Sequence, residues 1–308
     1  MRTLPGLLTI LLLAGCSDSS PAPQPDAADA RASETAPGDG AQPDQPPAAD
    51  SGDDGASPDG PAADSGPTPQ NEVEPNDGKQ TSEVNAISVP AIVNGAIGSA
   101  NDADVFAITG AAGQRLTVTV TPGGGSSLQP HLAIFAEGTP PAVVAGTGAQ
   151  TGEYYTLETK TVFVAVRDQR NTGSSPAGVG DPSMTYQLTV NELTRAPIAV
   201  TVDGPRVKAQ LSPPGVVRVF SFSAAAGDEV DATVYARRLT PSSSVDTRLS
   251  LFAVSNKKWL GTNDDLVAGQ ADSMLGGKLP FNDTYHVIIE NIAPDATTFD
   301  IEVAVTKR

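Results

Sequence analysis

The sequence predicts an all-β protein in which two β-sandwiches stand in tandem after a signal peptide and a disordered linker. Three observations carry that expectation. Beyond residue 80, short β-branched runs alternate with Gly, Pro, Asn and Asp turns, and no long stretch holds a 3.6-residue period. Five sequence blocks recur in the same order, offset by about 113 to 122 residues. Residues 17–70 contain no Val, Ile, Leu, Met, Phe, Tyr or Trp, so they have nothing to bury against their ordering entropy.

The chain opens with Met1-Arg2, a short positive segment, and an apolar run over residues 4–13 broken by Pro5, Gly6 and Thr9. That run is too short to stay as a membrane-spanning helix, and small residues follow it, so residues 1–15 read as a signal peptide. Leu13-Ala14-Gly15-Cys16 resembles the lipobox of bacterial lipoproteins. The resemblance implies that the Cys16 thiol is lipidated, the peptide bond before it cut and the new amine acylated. Each buried methylene contributes about 0.8 kcal/mol, so several acyl chains form a stable anchor. Cys16 is the single cysteine of the chain, so no disulfide is expected. An exported protein, lipid-anchored to the bacterial membrane, follows. Ser17 occupies the place next to the cysteine and Asp18 comes one later, which by the enteric sorting rule points to the outer membrane or cell surface.

Residues 16–70 are the expected tether. Ten Asp, Glu34 and one Arg31 give it about −10 of the formal net charge of −17. Eleven prolines and like-charge repulsion extend it. The 238 residues after it carry 17 basic and 25 acidic groups. Neither part suits a polyanion, which excludes nucleic acid as a partner.

Asn71-Glu72-Val73-Glu74-Pro75-Asn76-Asp77 begins the folded part. Pro75 restricts Glu74 and fixes its own φ, so the segment reads as a stiff arm and not a helix. Side chains alternate along an extended arm, which puts Glu72, Glu74 and Asn76 on one side. Asp77 needs a turn to join them, and Gly78 permits one. Before the strand at Val105 the chain reads Asn101-Asp102-Ala103-Asp104. Hard oxygen ligands, roughly six to eight of them, are what calcium takes, and without a cation so many carboxylates would repel. The candidate metal ligands are Glu72, Glu74, Asn76, Asp77, Asn101, Asp102 and Asp104, holding a structural calcium ion. The alternative is a solvated acidic end of the linker.

The repeat then organises the rest. Val105-Phe106-Ala107-Ile108 with residues 109–113 matches Val219-Phe220-Ser221-Phe222 with residues 223–227. Residues 116–120 match 230–234, and 132–136 match 249–253. Phe163-Val164-Ala165-Val166 aligns with Tyr285-His286-Val287-Ile288, and residues 185–190 with 298–303. Two domains follow, 71–194 and 195–308, each long enough for a modest core. Alternation places Val105, Phe106, Ile108, Leu116, Val118 and Val120 on one or other face of the first sandwich, with Leu132, Ile134, Val164 and Val166 facing them. Phe220, Phe222, Val230, Val234, Leu249, Leu251, Val287 and Ile289 belong in the second. Tyr186 and Phe299, which open the final strands, read as packing residues. The second copy has Gly215-Val216-Val217-Arg218 in place of the acidic turn and Arg195-Ala196-Pro197 in place of the arm. Arm and turn are both present in one copy and both absent in the other, which ties them together. Asp246, Asn263-Asp264-Asp265 and Asp272 form a further acidic set. They read as turn residues, with a second cation site as the alternative.

The arm, followed by Asn101-Asp102-Ala103-Asp104-Val105-Phe106 and then Gly113, resembles the bacterial pre-peptidase C-terminal domain. That family includes the collagen-binding modules of clostridial collagenases. The resemblance covers residues 71–192, with 197–306 as a diverged copy. It implies jelly-roll sandwiches in which the arm and the acids of the following turn coordinate calcium.

Nothing in the sequence assembles a catalytic constellation. His131 and His286 fall in predicted strands and form no metal-spaced pair, and Gly-x-Ser-x-Gly, His-Glu-x-x-His and phosphate-loop motifs are absent. Trp259, beside Lys257 and Lys258, reads as packed over a sheet edge, with a ligand platform as the alternative. The predicted function is that of a non-catalytic, membrane-anchored cell-envelope lipoprotein. Its partners are the membrane, through Cys16, and an extracellular protein, matrix or polymer ligand. The alternative is a secreted hydrolase or its accessory subunit.

Overall fold

The computed structural model describes residues 66–78, 83–139, 141–172, 177–212, 215–239, 242, 245–265, 272–292 and 299–308. The signal peptide, Cys16 and the tether up to residue 65 lie outside the described residues. The regular secondary structure of the described part is almost entirely strand. The first half holds β1 (Gln70–Asn71), β2 (Asn85–Ile87), β3 (Ala91–Ala96), β4 (Ala103–Gly110), β5 (Arg115–Pro122), β6 (Pro130–Ala136), β7 (Ala142–Ala145), β8 (Gln150–Tyr155), β9 (Lys160–Asp168) and β10 (Thr185–Glu192). The second holds β11 (Ile198–Ala199), β12 (Val207–Leu211), β13 (Arg218–Ala224), β14 (Glu229–Tyr235), β15 (Thr247–Ala253), β16 (Lys258–Asn263), β17 (Met274–Lys278), β18 (Asp283–Asn291) and β19 (Phe299–Lys307).

Each half is a pair of sheets. The first pairs β1-β3-β10-β5-β8 with β2-β4-β9-β6-β7, and the second pairs β12-β19-β14-β17 with β11-β13-β18-β15-β16. The strand orders are the same in both halves except for β1, the acidic arm, which adds a parallel edge strand beside β3. The period-two alternation of each strand sends one set of side chains between the sheets. Phe106, Ile108, Leu116, Leu132 and Val164 lie in one core, and Phe220, Phe222, Val230, Leu249 and Val287 in the other. Phe106 and Phe220 are fully buried, and truncating either to Ala costs about 3–5 kcal/mol.

One block of the sequence alignment is out by a residue. Ile108 pairs with Val162 and its counterpart Phe222 pairs with Tyr285, so Tyr285 corresponds to Val162 and not to Phe163. A one-residue slip exchanges the faces of a strand. Tyr285 is in the core, stacked on Phe222 at 5.4 Å. Phe163 is on the outer face, stacked on Phe135 at 5.5 Å. Matching aromatic to aromatic concealed the burial pattern, and His286 is the true counterpart of Phe163.

The two sandwiches meet where β8 ends. Tyr155 packs among Val217, Val219, Phe252 and Ile288, and its hydroxyl lies 2.9 Å from His286 Nδ1. Glu153 N donates to Gly215 O at 2.8 Å, and Glu153 Oε2 accepts from Val217 N at 3.0 Å. Arg195, in the connector, donates to Glu153 Oε2 and to Val217 O. A buried carboxylate thus joins the first sandwich, the connector and the second sandwich.

Candidate metal centre

The centre forms where the arm crosses the end of β3 and the start of β4. β1 sets Glu72 beside β3, and Glu72 Oε1 accepts from Ala96 N at 2.6 Å. The Glu74–Pro75 peptide bond is cis. Asn76 O accepts from Val105 N at 2.8 Å, which fastens the arm to β4. Gly78 then turns the chain away at φ +64°, and a Cβ there would lie 2.6 Å from Val105 Cγ2. Only glycine combines that φ with that closeness.

Glu72, Glu74 and Asp104 each present a carboxylate oxygen within 4.8 Å of the others. Asn76 is fully buried among them. One face of its amide lies against Glu72 Oε2 at 3.4 Å. The other lies against Asp104 Oδ1 at 2.8 Å and Glu74 Oε2 at 3.0 Å. With the amide turned so that its nitrogen donates to Asp104 Oδ1 and Glu74 Oε2, both of its polar atoms are satisfied. The acids of the turn sit next to this group. Asp102 accepts from Gly98 N at 2.7 Å and Ala103 N at 2.9 Å, and a side-chain hydrogen bond links it to Asp77. Asn101 is exposed and takes φ +64°, the geometry of a turn residue.

The electrostatics express crowding. Burial, then Glu72, pushes the Asp104 carboxyl up to about 9. Burial, then Asp102, raises Glu74, and burial raises Asp102.

Tyr186 reads from the sequence as a packing residue, and its ring is in the core, but its hydroxyl belongs to the centre. It lies 2.6 Å from Asp104 Oδ2 and 3.0 Å from Glu72 Oε2. One hydroxyl proton cannot serve both acids. The repeat held the signal: the residue aligned with Tyr186 is Phe299, which keeps the ring and lacks the hydroxyl, in the copy that lacks the acids.

In the second sandwich, the Asp272 carboxylate is held by its surroundings. Asp272 is buried and accepts from Ala236 N at 2.8 Å, Arg237 N at 2.7 Å and the Arg238 guanidinium. Asn263 Nδ2 donates to Asp265 O and Met274 O, both at 2.7 Å. Burial, then Asp265, raises the Asp246 carboxyl. Trp259 lies on the edge strand β16, 37% exposed, with Nε1 donating to Thr262 Oγ1 at 3.1 Å.

No family model and no curated protein matches the chain. Among solved structures, the chain is similar to a Clostridium perfringens M60 catalytic domain with two CBM51 domains, at 8% identity and TM-score 0.22 over 67% of this chain and 33% of that one. It is similar to a periplasmic inhibitor of g-type lysozyme from Aeromonas hydrophila, at 17% identity and TM-score 0.26 over 37% of this chain and 100% of that one. It is also similar to the pre-peptidase C-terminal domain of a Bacillus anthracis collagenase, at 14% identity and TM-score 0.27 over 37% of this chain and 99% of that one.

Proposed function

We propose that this chain is a non-catalytic envelope lipoprotein, anchored through Cys16, whose two sandwiches act by contact with a protein, matrix or polymer ligand. A calcium ion clips the arm onto the first sandwich. The observation that supports the cation is a partly buried gathering of acids. Glu72, Glu74 and Asp104 bring carboxylate oxygens within 4.8 Å of one another, and the Tyr186 hydroxyl lies against both Glu72 and Asp104. Such a cluster costs free energy unless protons or a cation are supplied. Glu72, Glu74, Asn76 and Asp104 would hold the ion, with Asp77 and Asp102 beside them. An oxygen-only set of carboxylate and amide suits calcium better than a softer metal. The bound ion would supply the missing positive charge.

The environment of the histidines favours contact over chemistry. Burial holds both His131 and His286 down at about 4, and His286 is engaged by Tyr155 in the junction. Melting of the full chain in calcium and in chelator tests the clip. Saturation at about a hundred times Kd adds about 2.7 kcal/mol, and an unchanged melting temperature removes the ion from the proposal. A screen of peptidase and glycosidase substrates tests the contact reading. Turnover abolished by changing one loop acid would replace it with a hydrolase.

A further inference from the structure

The outer face of the sheet β2-β4-β9-β6-β7 carries a cation, Arg167, for which no ion pair is found among the described residues. Arg167 on β9 and His131 on β6 are register partners there. Arg167 Nε and His131 Nδ1 are buried, and neither has a hydrogen-bond partner among the described residues. Burial, then the Arg167 charge, holds His131 at about 4, so the ring is neutral at pH 7. A guanidinium stays charged in a protein, and a half-buried one without an acid is costly.

The second sandwich has the same two positions filled differently. Leu132 pairs with Val166 as Leu249 pairs with Ile289. Arg248 therefore stands at the His131 position and Glu290 at the Arg167 position. Arg248 Nη2 and Glu290 Oε2 are 2.9 Å apart, a closed ion pair. The first sandwich has a base where the second has the acid, so among the described residues the position lacks the pairing that its counterpart makes.

The face beyond Arg167 is graded. Two residues along each strand, Ala133 and Ala165 are partners, and two further along come Phe135 and Phe163, stacked at 5.5 Å. Four residues of strand span about 13 Å. A cation and an aromatic pair thus stand one extended tetrapeptide apart, with the two alanines between them buried.

We propose that this face docks an extended acidic peptide segment of a partner protein. An Asp or Glu carboxylate meets Arg167, and an apolar or proline side chain about four residues away meets Phe135 and Phe163. The guanidinium fork matches a carboxylate bidentately. One cation on a chain of net charge −17 does not suit nucleic acid or a sulfated polysaccharide, which need several bases. The inference rests on the contact reading above and names the partner class for it. It does not use the acidic arm.

Fluorescein-labelled Asp-Ala-Ala-Ala-Phe and Asp-Ala-Ala-Ala-Pro, with their Asn counterparts, are titrated against the full chain by fluorescence anisotropy. The acidic probes are expected to bind, and the Asn probes to lose about tenfold or more. Arg167→Gln should cause the same loss, and Arg248→Gln none. His131→Arg combined with Arg167→Glu copies the second sandwich into the first. It should abolish binding while holding or raising the melting temperature. The proposal is overturned by no binding up to about 1 mM, or by equal binding of Asp and Asn probes. Binding unchanged in an Arg167→Gln chain that melts like the parent overturns it too. So does heparin bound through Arg167 more tightly than the acidic probes. If the proposal fails and the chain still binds a ligand elsewhere, the contact reading stands without this face.

Discussion

Gly95 and Tyr186 are register partners across β3 and β10, and a Cβ at Gly95 would lie 2.4 Å from both Tyr186 Cζ and Glu72 Oε2. At the same register the second sandwich pairs Leu211 with Phe299, and Leu211 is buried. The hole that admits a carboxylate in one copy is filled with a leucine in the other. Gly95→Ala is therefore expected to displace Glu72 and the tyrosine ring, to cost about 1–3 kcal/mol, and to abolish the rise in melting temperature on adding calcium. A variant that still responds like the parent would place the ion elsewhere.

Asp104 ties the centre to pH. Its carboxyl has an ordinary value of 3.8 and is pushed up to about 9, first by burial and then by Glu72. A raised value means that the folded state holds the proton more tightly. Its contribution is complete below 3.8 and is lost as pH rises through about 9. In chelator, stability should fall across that window, and Asp104→Asn should flatten the fall. With calcium present the trend should reverse, because protons compete with the ion for the same oxygens. Denaturant midpoints across pH, with and without chelator, check both arms.

Tyr186→Phe copies Phe299 into the first sandwich. The ring keeps its place in the core, so the chain should fold. The centre loses its hydroxyl donor, a change worth about 1–3 kcal/mol for buried partners. Calcium titrated against melting temperature should show a shifted affinity. An identical titration curve would make the hydroxyl a bystander.

His286 makes the junction sensitive to acid. Burial, then the Arg115 charge, holds it at about 4 instead of its ordinary 6.5. A depressed base favours folding while neutral. That contribution is present above 6.5 and is lost as pH falls through about 4. After solvent screening it is worth about 1 kcal/mol. His131 has the same sign and size. His286→Phe should therefore remove about half of the acid-induced loss attributable to the two rings, read as the change in urea midpoint between pH 7 and 4.5.

Glu153→Ala leaves Val217 N and the Arg195 guanidinium without their partner. Stranding buried groups of this kind costs about 2–4 kcal/mol. The cost should appear as two separable melting transitions in place of one. A single transition at the parent temperature would mean that Tyr155 alone carries the junction.

How much of this was legible depended on whether the signal lay in residue type or in distance along the chain. The acids of the arm and turn are few, strongly typed and missing from the second copy, so comparing the copies brought Glu72, Glu74, Asn76, Asp77, Asn101, Asp102 and Asp104 forward together as candidates. The cores followed from alternation. Tyr186 was hidden because one side chain serves two environments: its ring obeys the core pattern and its hydroxyl does not. The slip at Phe163 and Tyr285 arose because aromatic identity is a weaker guide than the face a residue occupies. The junction had no local signal. Tyr155 and His286 are 131 residues apart in the chain, and nothing near either of them announces the other. The lack of an acid opposite Arg167 among the described residues could be judged only after the register placed Glu290 opposite Arg248.

The parallel strand β1 is only two residues long, Gln70 and Asn71, and the next backbone pairing of the arm is Glu72 N to Asn94 O. Tension arriving at Gly66 would reach the first sandwich through this short seam before any other strand. If an ion fastens Glu72, Glu74 and Asn76 to Asp104, its presence sets where a pulled chain stops yielding: at Glu72 when the clip is closed, and near β2 when it is open. Local cation concentration would then adjust how much of the arm pays out under load.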